Sequence, residues 1–440
     1  MRRITYFFCF LLSTSFLFGQ ADLLQSGPML GYSEMREVAL WVQTKAGAEV
    51  RFSYWNLTTP KDIHYTKTVK TQEEDAFTAH LLASGLEPGQ HYGYQLFINN
   101  KAVSLSYPTT FQTQTLWQWR TDPPAFKLAI GSCAYINETT YDRPGTPYGG
   151  DYQIFTSIAA KQPDLMLWMG DNNYLREVDW YTRSGIFYRN THTRSLPEMQ
   201  ALLASTHNYA IWDDHDYGPD DSDRSFIHKD WTLEAFKLFW YNPSYGLNGH
   251  PGIATQFQWA DADFFLLDDR YYRSPDKRKT GEATILGEEQ LEWLLDALTY
   301  SRSTFKLIAM GGQVLNPAPV YENYSANRYD AEREYLLKRI EEEGIKNVIF
   351  LSGDRHHTEL CQYTNSVGNT VYDLTVSPLT SSPAPKGDAA NTLLVEGTFY
   401  DKRNFGVLEF SGPRTARSIA IHIYDSNGAE VWTRTIQAVK

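Results

Sequence analysis

The stretch LMLWMGDNNY, residues 165–174, has five apolar residues, then Gly170-Asp171, and Tyr174 three positions later. A short apolar run closed by a turn signal is typical of a buried strand in a parallel sheet. In open α/β sheets the functional site lies beyond the carboxyl ends of the strands. The stretch therefore predicts an α/β domain with a carboxylate and a phenol at the edge of its sheet.

Three further apolar runs end in side chains that can bind metal ions. Residues 126–130 lead into Gly131-Ser132-Cys133, residues 209–212 into Asp213-Asp214-His215-Asp216, and residues 348–351 into Ser352-Gly353-Asp354-Arg355-His356-His357. Each motif alone is weak, because a Gly-Asp pair is often only a turn and a lone cysteine is usually a small buried hydrophobe. Four such strand ends along one sheet edge predict a single site.

The acidic run that follows Trp212 is the strongest of these signals. Four consecutive ionisable groups are costly to bury unless they are paired or bound to metal, and a solvated acidic loop is the alternative. A thiolate and a phenolate beside carboxylates suit a trivalent ion such as iron(III). A second metal site rich in carboxylates suits calcium or another divalent ion. Two metal ions can clamp a phosphoryl group and lower the pKa of a bridging water, so the pattern favours phosphate-ester chemistry.

The segment before this domain predicts a small all-β sandwich over residues 20–115. It contains β-rich runs, and its sequence around Tyr92 resembles the corner of a fibronectin type III-like sandwich, where a tyrosine hydroxyl bonds back to the chain. Residues 116–125 form a polar linker that contains Pro123 and Pro124.

Beyond the linker, short apolar runs alternate with amphipathic segments such as 288–299 and 331–342. This alternation predicts an α/β domain over residues 126–440, built of two sheets flanked by helices.

Residues 1–19 have the form of a secretory signal peptide. A positive head at Arg2 and Arg3 precedes an apolar run from Ile4 to Phe18 and a small residue, Gly19. The apolar run is shorter than the roughly 20 residues of a membrane span. We therefore expect a soluble exported protein, secreted or periplasmic.

The charge and the cysteine content limit the classes of partner. Removal of residues 1–19 takes away two arginines and no acid, so the formal charge of -12 becomes -14. An acidic chain argues against a nucleic-acid site built on basic patches, whereas a metal can still attract an anionic substrate. Cys133 and Cys361 remain after processing, and a disulfide between them is the alternative to a metal-binding Cys133.

The four motifs, taken in chain order, resemble the PhoD-like (alkaline phosphatase D) branch of the calcineurin-like metallophosphoesterases. The resemblance spans roughly residues 126–425, and the preceding β-sandwich also matches the layout of that family. It implies a two-sheet metallophosphoesterase sandwich flanked by helices, a centre of Fe3+ and Ca2+ (or another divalent metal), and hydrolysis of phosphomonoesters or phosphodiesters by a metal-activated water.

The resemblance also assigns roles to residues. The implied metal ligands are Cys133, Asp171, Tyr174, Asp214, Asp220, Asp354 and His356. Cys133 and Tyr174 would bind iron, and Asp171 would bridge the two metals. His215 would hydrogen-bond the phosphoryl group and protonate the leaving oxygen, and Asp216 would orient His215.

Several polar residues keep two interpretations. Asp213 is either a ligand or a supporting residue. Gln313 either contacts substrate or is structural, and Asp269-Arg270 either forms a buried ion pair or binds phosphate. A further group could touch phosphate or lie on a solvated helix: Arg189, His192 and Arg194.

The expected partner is a small phosphate ester, and the protein is expected to be a monomer. The alternative from another class is a non-catalytic surface- or carbohydrate-binding protein with a structural metal. Trp55, Trp117 and Trp119 motivate that alternative, although core packing explains such residues as well. An open metal site facing a cleft would favour the enzyme.

Overall fold

A computed structural model describes residues 23–320, 323–324, 329–384 and 386–440. The predicted signal peptide, residues 1–19, lies outside these ranges. None of the helices in the described part of the chain has both the length and the apolar character needed to cross a membrane.

The N-terminal region is all β apart from a short 3-10 turn at Glu73–Asp75. Its strands are β1 (Leu24–Ser33), β2 (Glu37–Thr44), β3 (Glu49–Asn56), β4 (Ile63–Tyr65), β5 (Val69–Lys70), β6 (Thr78–Ser84), β7 (His91–Ile98), β8 (Lys101–Ala102) and β9 (Thr110–Gln112). The interaction predicted for a tyrosine corner is present, since the Glu87 N–H donates a hydrogen bond of 2.8 Å to the Tyr92 hydroxyl.

The larger region alternates strands and helices. Its strands are β10 (Phe126–Gly131), β11 (Leu165–Met169), β12 (His207–Ile211), β13 (Thr255–Trp259), β14 (Ala262–Leu266), β15 (Phe305–Ala309), β16 (Val348–Ser352), β17 (Glu359–Thr364), β18 (Thr370–Thr375), β19 (Asn404–Ser411), β20 (Ser418–Asp425) and β21 (Glu430–Gln437). Its helices are α1 (Gln153–Ala160), α2 (Arg183–Arg194), α3 (Gln200–Ser205), α4 (Asp214–Tyr217), α5 (Lys229–Phe239), α6 (Glu288–Tyr300) and α7 (Asp330–Glu342), with a 3-10 turn at Pro197–Met199.

Two large sheets face each other across the main hydrophobic core. The order of the first is β21-β20-β19-β10-β11-β12-β1-β2-β6, and the order of the second is β13-β14-β15-β16-β18-β17. The core between them takes buried residues from both sheets, such as Leu167, Ile211, Phe264 and Leu307. Helices cover the outer faces, so β11, β14, β15 and β16 are buried along their whole length. This explains why these strands are apolar runs rather than alternating patterns.

The N-terminal region is continuous with the first large sheet. β1 pairs with β12 in parallel, with Leu30 opposite His207, and β2 and β6 follow outside β1. The remaining N-terminal strands form a separate sheet in the order β4-β3-β7-β8, with β5 paired to β3 and β9 to β7. Strands β1, β2 and β6 of the N-terminal region therefore extend the first large sheet.

His207 lies at this junction and is buried. Its ring nitrogens lie 3.0 Å from the carbonyl oxygens of Gly31 and Gln112. Burial lowers the pKa of His207 to about 4, an effect larger than the opposite influence of the two carbonyls.

We expect His207 to make the fold acid-sensitive. Because the folded pKa lies below the ordinary value of about 6.5, the unfolded chain takes up a proton first as the pH falls. Stability that is present above pH 6.5 is then lost towards pH 4, by up to about 3 kcal/mol for this group. Thermal unfolding of wild type and His207→Gln across this range measures the effect, and equal pH slopes for the two proteins would contradict it.

Candidate metal centre

The four predicted strand ends meet at one edge of the two-sheet core. Cys133 follows β10, and its N–H donates to the Gly170 carbonyl at 3.2 Å, while Ala134 N–H donates to the Asp171 carbonyl at 2.8 Å. Gly353, after β16, donates to the Gly311 carbonyl beyond β15 at 2.8 Å. Main-chain hydrogen bonds thus hold neighbouring loops together at the edge of each sheet.

Four of the candidate ligands adopt left-handed backbone conformations. The φ angles are 61° at Cys133, 51° at Asp171, 59° at Asp354 and 54° at His356. Non-glycine residues rarely occupy this region, and such strain clusters at functional sites where surrounding structure fixes the backbone. The conformations turn these side chains together at the strand ends.

Gly170 is required by close packing between two of the loops. Its φ is +85°, and an added Cβ would lie 2.6 Å from Cβ of Asp213. A larger residue would therefore separate the loop that carries Asp171 from the acidic run.

Three overlapping groups of side chains place possible ligand atoms within 4.8 Å of one another. The groups are Cys133 with Asp171 and His356, Asp171 with Asp214 and His215, and Asp213 with Asp214 and Asp354. Asp171 is shared by the first two groups and Asp214 by the last two, which is the arrangement expected of bridging carboxylates between neighbouring ions.

The first group has the softer donors. Cys133 Sγ lies 3.5 Å from Asp171 Oδ2, and Tyr174 Oη lies 3.3 Å from His356 Nε2. Burial, and then the nearby acids, raise the pKa of Cys133 and of Tyr174 well above their usual values. A cation is what would favour the thiolate and phenolate forms here.

The acids around Asp171 create an excess of buried negative charge. Burial, followed by the charges of Asp214 and Asp213, raises the pKa of Asp171 well above its usual value. Arg270 forms a buried ion pair with Asp213. Asp213 Oδ2 and Asp214 Oδ1 are buried and accept no hydrogen bond from the described residues. The donor set and these oxygens fit a pair of cations.

His215 lies between the acids and the open side of the site. Its Nε2 is 3.4 Å from Asp220 Oδ1 and 3.9 Å from Asp214 Oδ2. The ring also packs on Tyr174, with 4.2 Å between the centroids. Its side chain can therefore reach both the carboxylate cluster and a substrate at the surface.

The structure corrects the role predicted for Asp216. Its carboxylate does not serve His215 but accepts hydrogen bonds from the backbone N–H groups of Asn172, Asn173 and Asp213, at 3.1 to 3.2 Å. The physical reason is that α4 begins at Asp214, and Asp216 closes a capping box with Asp213. Asp216 thus shapes the loop that carries Asp171, and the acids beside the His215 ring are Asp214 and Asp220.

Asp220 lies at the surface, with 68% of its side chain exposed. It is absent from the three candidate groups found among the described residues. Its contact in the site is with the ring of His215.

Gln313, Asp269 and Arg270 make buried contacts within the protein. Gln313 is fully buried and its amide donates to Glu359 and Thr375, each at 2.7 Å. Asp269 accepts from the Gly311 N–H at 2.9 Å, and Arg270 is paired with Asp213. Arg270 therefore lies in a buried ion pair, but its partner is Asp213.

Two of the basic residues of α2, Arg189 and Arg194, are buried rather than solvated. Arg189 pairs with Glu138 and Asp179 at 2.8 Å. Arg194 packs 3.8 Å above the Trp240 ring, and burial lowers its pKa to about 9. His192 is half-buried, and burial lowers its pKa.

Some residues of the site could not be identified from the motifs. Ser377 Oγ lies 3.1 Å from Cys133 Sγ, and Ser381 Oγ lies 3.3 Å from His356 Nε2. The Tyr148 hydroxyl lies 3.3 Å from His356 Nδ1. Ser377 and Ser381 follow β18 in a segment without acidic, cysteine or histidine side chains, and Tyr148 lies in the loop before α1, so the metal-ligand motifs gave no signal for them. Cys361 is free, as is Cys133.

A cleft of about 410 Å³ opens beside the candidate ligands. Its lining includes Tyr174, His215 and Asp220, which lie beside the candidate ligands, and also Tyr141 and Trp180. This volume is in the range of small-molecule sites, so the candidate centre faces a space that can receive a substrate.

Comparison with known proteins identifies the larger region. A family model described as PhoD-like phosphatase matches residues 128–407, and one described as a domain of unknown function (DUF7800) matches residues 21–116. The chain is 24% identical over 350 residues to alkaline phosphatase D of Bacillus subtilis (strain 168). That match covers 67% of this chain and 57% of the relative, so the chain spans less than two thirds of the length of that protein.

Two solved structures share the fold. One, described as the structure of PhoD, has a TM-score of 0.76 and 18% identity, and the match covers 95% of this chain and 93% of the other. The other is purple acid phosphatase PPD1 from yellow lupin (Lupinus luteus) seeds, with a TM-score of 0.67 and 12% identity, covering 94% and 75%. The predicted α/β metallophosphoesterase architecture, preceded by an all-β region, is confirmed.

Proposed function

The chain belongs to the PhoD-like phosphatase family, and from that premise we propose that it hydrolyses phosphate monoesters, diesters or both at the cluster around Asp171. The observation that carries the proposal is the convergence of two groups of possible ligands on Asp171, one with Cys133 and His356 and the other with Asp214 and His215. Tyr174 and His215, which lie at this cluster, line a cleft, and this favours an enzyme over a surface-binding protein with a structural metal.

The donor chemistry divides the ligands into two sets. Cys133, Tyr174 and His356 would hold Fe3+, because thiolate and phenolate stabilise a trivalent ion. Asp214 and Asp354 would hold Ca2+ or another divalent ion, with Asp213 beside them and Asp171 shared by both ions. When bound, such a pair polarises phosphoryl oxygens and makes a water nucleophilic near neutral pH.

The chain supplies the remaining groups. His215 lies at the boundary between the carboxylates and the cleft, where its ring can donate a proton to the leaving oxygen. Asp216 holds the loop of Asp171 in place through three backbone N–H groups. Arg270 neutralises Asp213 and so limits the repulsion among the buried acids.

The experiment that tests the function combines metal analysis with a substrate panel. Purified protein should contain two metal ions per chain, as read by elemental analysis. It should release nitrophenol from 4-nitrophenyl phosphate, from bis-4-nitrophenyl phosphate, or from both. A folded, metal-loaded protein that hydrolyses neither would overturn the proposal.

A tyrosinate–iron(III) centre should colour the protein, and we expect Tyr174→Phe to abolish the visible charge-transfer band. The reason is that the band requires the phenolate oxygen, which phenylalanine lacks. Absorbance spectra of the iron-loaded proteins measure the result. Tyr148→Phe is the matched control, since it removes a hydroxyl that is also 3.3 Å from a nitrogen of His356. If only the control lost the band, Tyr148 would be the ligand.

Export of the protein rests on the sequence of residues 1–19. The chain would then act as a monomer on small phosphate esters in the periplasm or outside the cell. Mass spectrometry of the protein recovered from outside the cytoplasm should show a mature chain that begins at Gln20. A recovered chain that still begins at Met1 would contradict this part of the proposal.

A further inference from the structure

The cleft beside the candidate centre has an aromatic wall. Tyr135, Tyr141, Tyr148 and Trp180 line it together with Tyr174. Tyr141 and Tyr148 are 43% and 38% exposed, so parts of their rings are open to a ligand. Aromatic side chains prefer to contact flat rings by offset stacking or edge-to-face packing.

The wall is rigid at its base. Asp142 accepts hydrogen bonds from the Tyr135 hydroxyl at 2.8 Å and from Arg176 Nε at 2.9 Å. The guanidinium of Arg176 stacks 3.8 Å from the centroid of Tyr135. The Tyr135 ring is in turn 4.8 Å from the Tyr148 ring. Because these contacts are made between protein groups, the wall is preformed and little ordering is needed on binding.

The wall continues into the candidate centre through ring contacts. Tyr148 and Tyr174 have centroids 6.1 Å apart, and Tyr174 lies 4.2 Å from the ring of His215. A group that receives a proton from His215 must lie on the cleft side of that ring. The leaving group of a phosphate ester would therefore extend along the aromatic wall.

The charges along the cleft disfavour a strongly anionic leaving group. Three acids line it, Asp142, Glu177 and Asp220, against two arginines. Arg176 is already committed to Asp142 through an ion pair of 2.8 Å. A second phosphate or carboxylate would therefore meet more negative than positive charge.

The geometry points to a subsite for the leaving group that binds a flat, uncharged ring, such as an aryl group or a nucleobase. This inference rests on the proposed function for the direction of the leaving group. The presence of the ring site itself depends only on the wall. The preferred substrates are phosphate esters of ring-bearing alcohols rather than of simple alkyl alcohols.

The first experiment compares substrates in the metal-loaded protein. We expect Tyr141→Ala to lower kcat/KM for phenyl phosphate, adenosine 5′-monophosphate or both by about five- to tenfold more than for propyl phosphate, because one stacking face is lost. Tyr300→Ala is the matched control, since Tyr300 is 86% exposed on α6 outside the cleft. An equal loss for ring and alkyl esters, or no loss at all, would overturn the inference.

The second experiment needs neither metal nor turnover. Titration calorimetry of the metal-free protein should show binding of adenosine or of 4-nitrophenol, weakened in Tyr141→Ala and unchanged in Tyr300→Ala. Binding of adenosine alone assigns the site to a nucleobase, and binding of 4-nitrophenol alone assigns it to a simple aryl group. If the wild type binds neither ring, the subsite does not exist.

The two proposals fail in different ways. A metal-loaded protein that hydrolyses no ester, while its metal-free form binds a ring, overturns the proposed function and leaves the ring site standing. Hydrolysis of all three esters with no preference altered by Tyr141→Ala leaves the function standing and overturns the ring site.

Discussion

Replacing Asp171 by alanine is expected to lower kcat/KM for 4-nitrophenyl phosphate by at least about a thousandfold. Asp171 is the carboxylate shared by the groups that contain Cys133 and Asp214. Without it neither proposed ion keeps its full set of ligands, so the position of both ions and of the nucleophile is lost. Elemental analysis of the variant should show reduced metal content beside the kinetic loss.

The same substitution should not damage the metal-free fold. Asp171 is buried among acids, and its raised pKa shows that the folded chain disfavours the charged form. Removing it relieves that penalty, so the metal-free variant should unfold at a temperature no lower than the metal-free wild type. Asp296→Ala, on the exposed face of α6, is the control for general effects of losing an aspartate. A variant with wild-type metal content and more than one-tenth of the activity would refute the bridging role.

Replacing His215 by asparagine is expected to lower kcat by about a hundred- to ten-thousandfold for an alkyl phosphate, the usual contribution of a general acid. The loss should be smaller for 4-nitrophenyl phosphate, because nitrophenolate leaves without needing a proton. Kinetics over a series of esters whose leaving groups have increasing pKa measure this. The ratio of wild-type kcat to variant kcat should increase with the pKa of the leaving group.

A loss that is uniform along the series would contradict proton donation and would instead favour His215 as a metal ligand. Metal content separates the two roles independently, since His215 also falls within ligand distance of Asp171 and Asp214. His250→Asn is the matched control, because His250 is an exposed histidine paired with Glu289 at 3.2 Å.

The strands that build the centre could be predicted because they are buried on both faces. β11 and β16 are continuous apolar runs. Only their short length and the turn signal that follows distinguish them from helices of the same composition. The edge hairpin of β20 and β21 is less regular, and β21 was not predicted. Its burial alternates imperfectly, because one face of the strand is largely exposed.

The burial of Arg189 and Arg194 in α2 could not be predicted from the sequence. Arg189 and Arg194 are characteristic of a solvated surface when they are taken alone. In the fold, Arg189 pairs with Glu138, which lies 51 positions earlier in the chain, and the Arg194 guanidinium stacks on the Trp240 ring. Such compensation depends on the tertiary structure, and a single sequence does not reveal it.

The candidate site shows the same limit at finer scale. Motifs located the ligand types at four strand ends, because the carboxyl ends of parallel strands meet at one edge. The function of Asp216 could not be inferred from its position beside His215, since its partners Asn172 and Asn173 are 44 and 43 residues away. The contact of Tyr148 with His356 spans 208 residues and follows no local rule.

The pairing of β1 with β12 has a consequence for any shortened form of the chain. A chain cut at the linker would keep every candidate ligand, since all of them follow residue 126. It would also leave β12 as a bare strand with unsatisfied N–H and C=O groups, beside the exposed core surface that β1 now covers. Such a strand is a template for aggregation, so a shortened chain would assemble with its own copies. The N-terminal strands therefore cap the first large sheet at β12, and any fusion or graft of the larger region should include them.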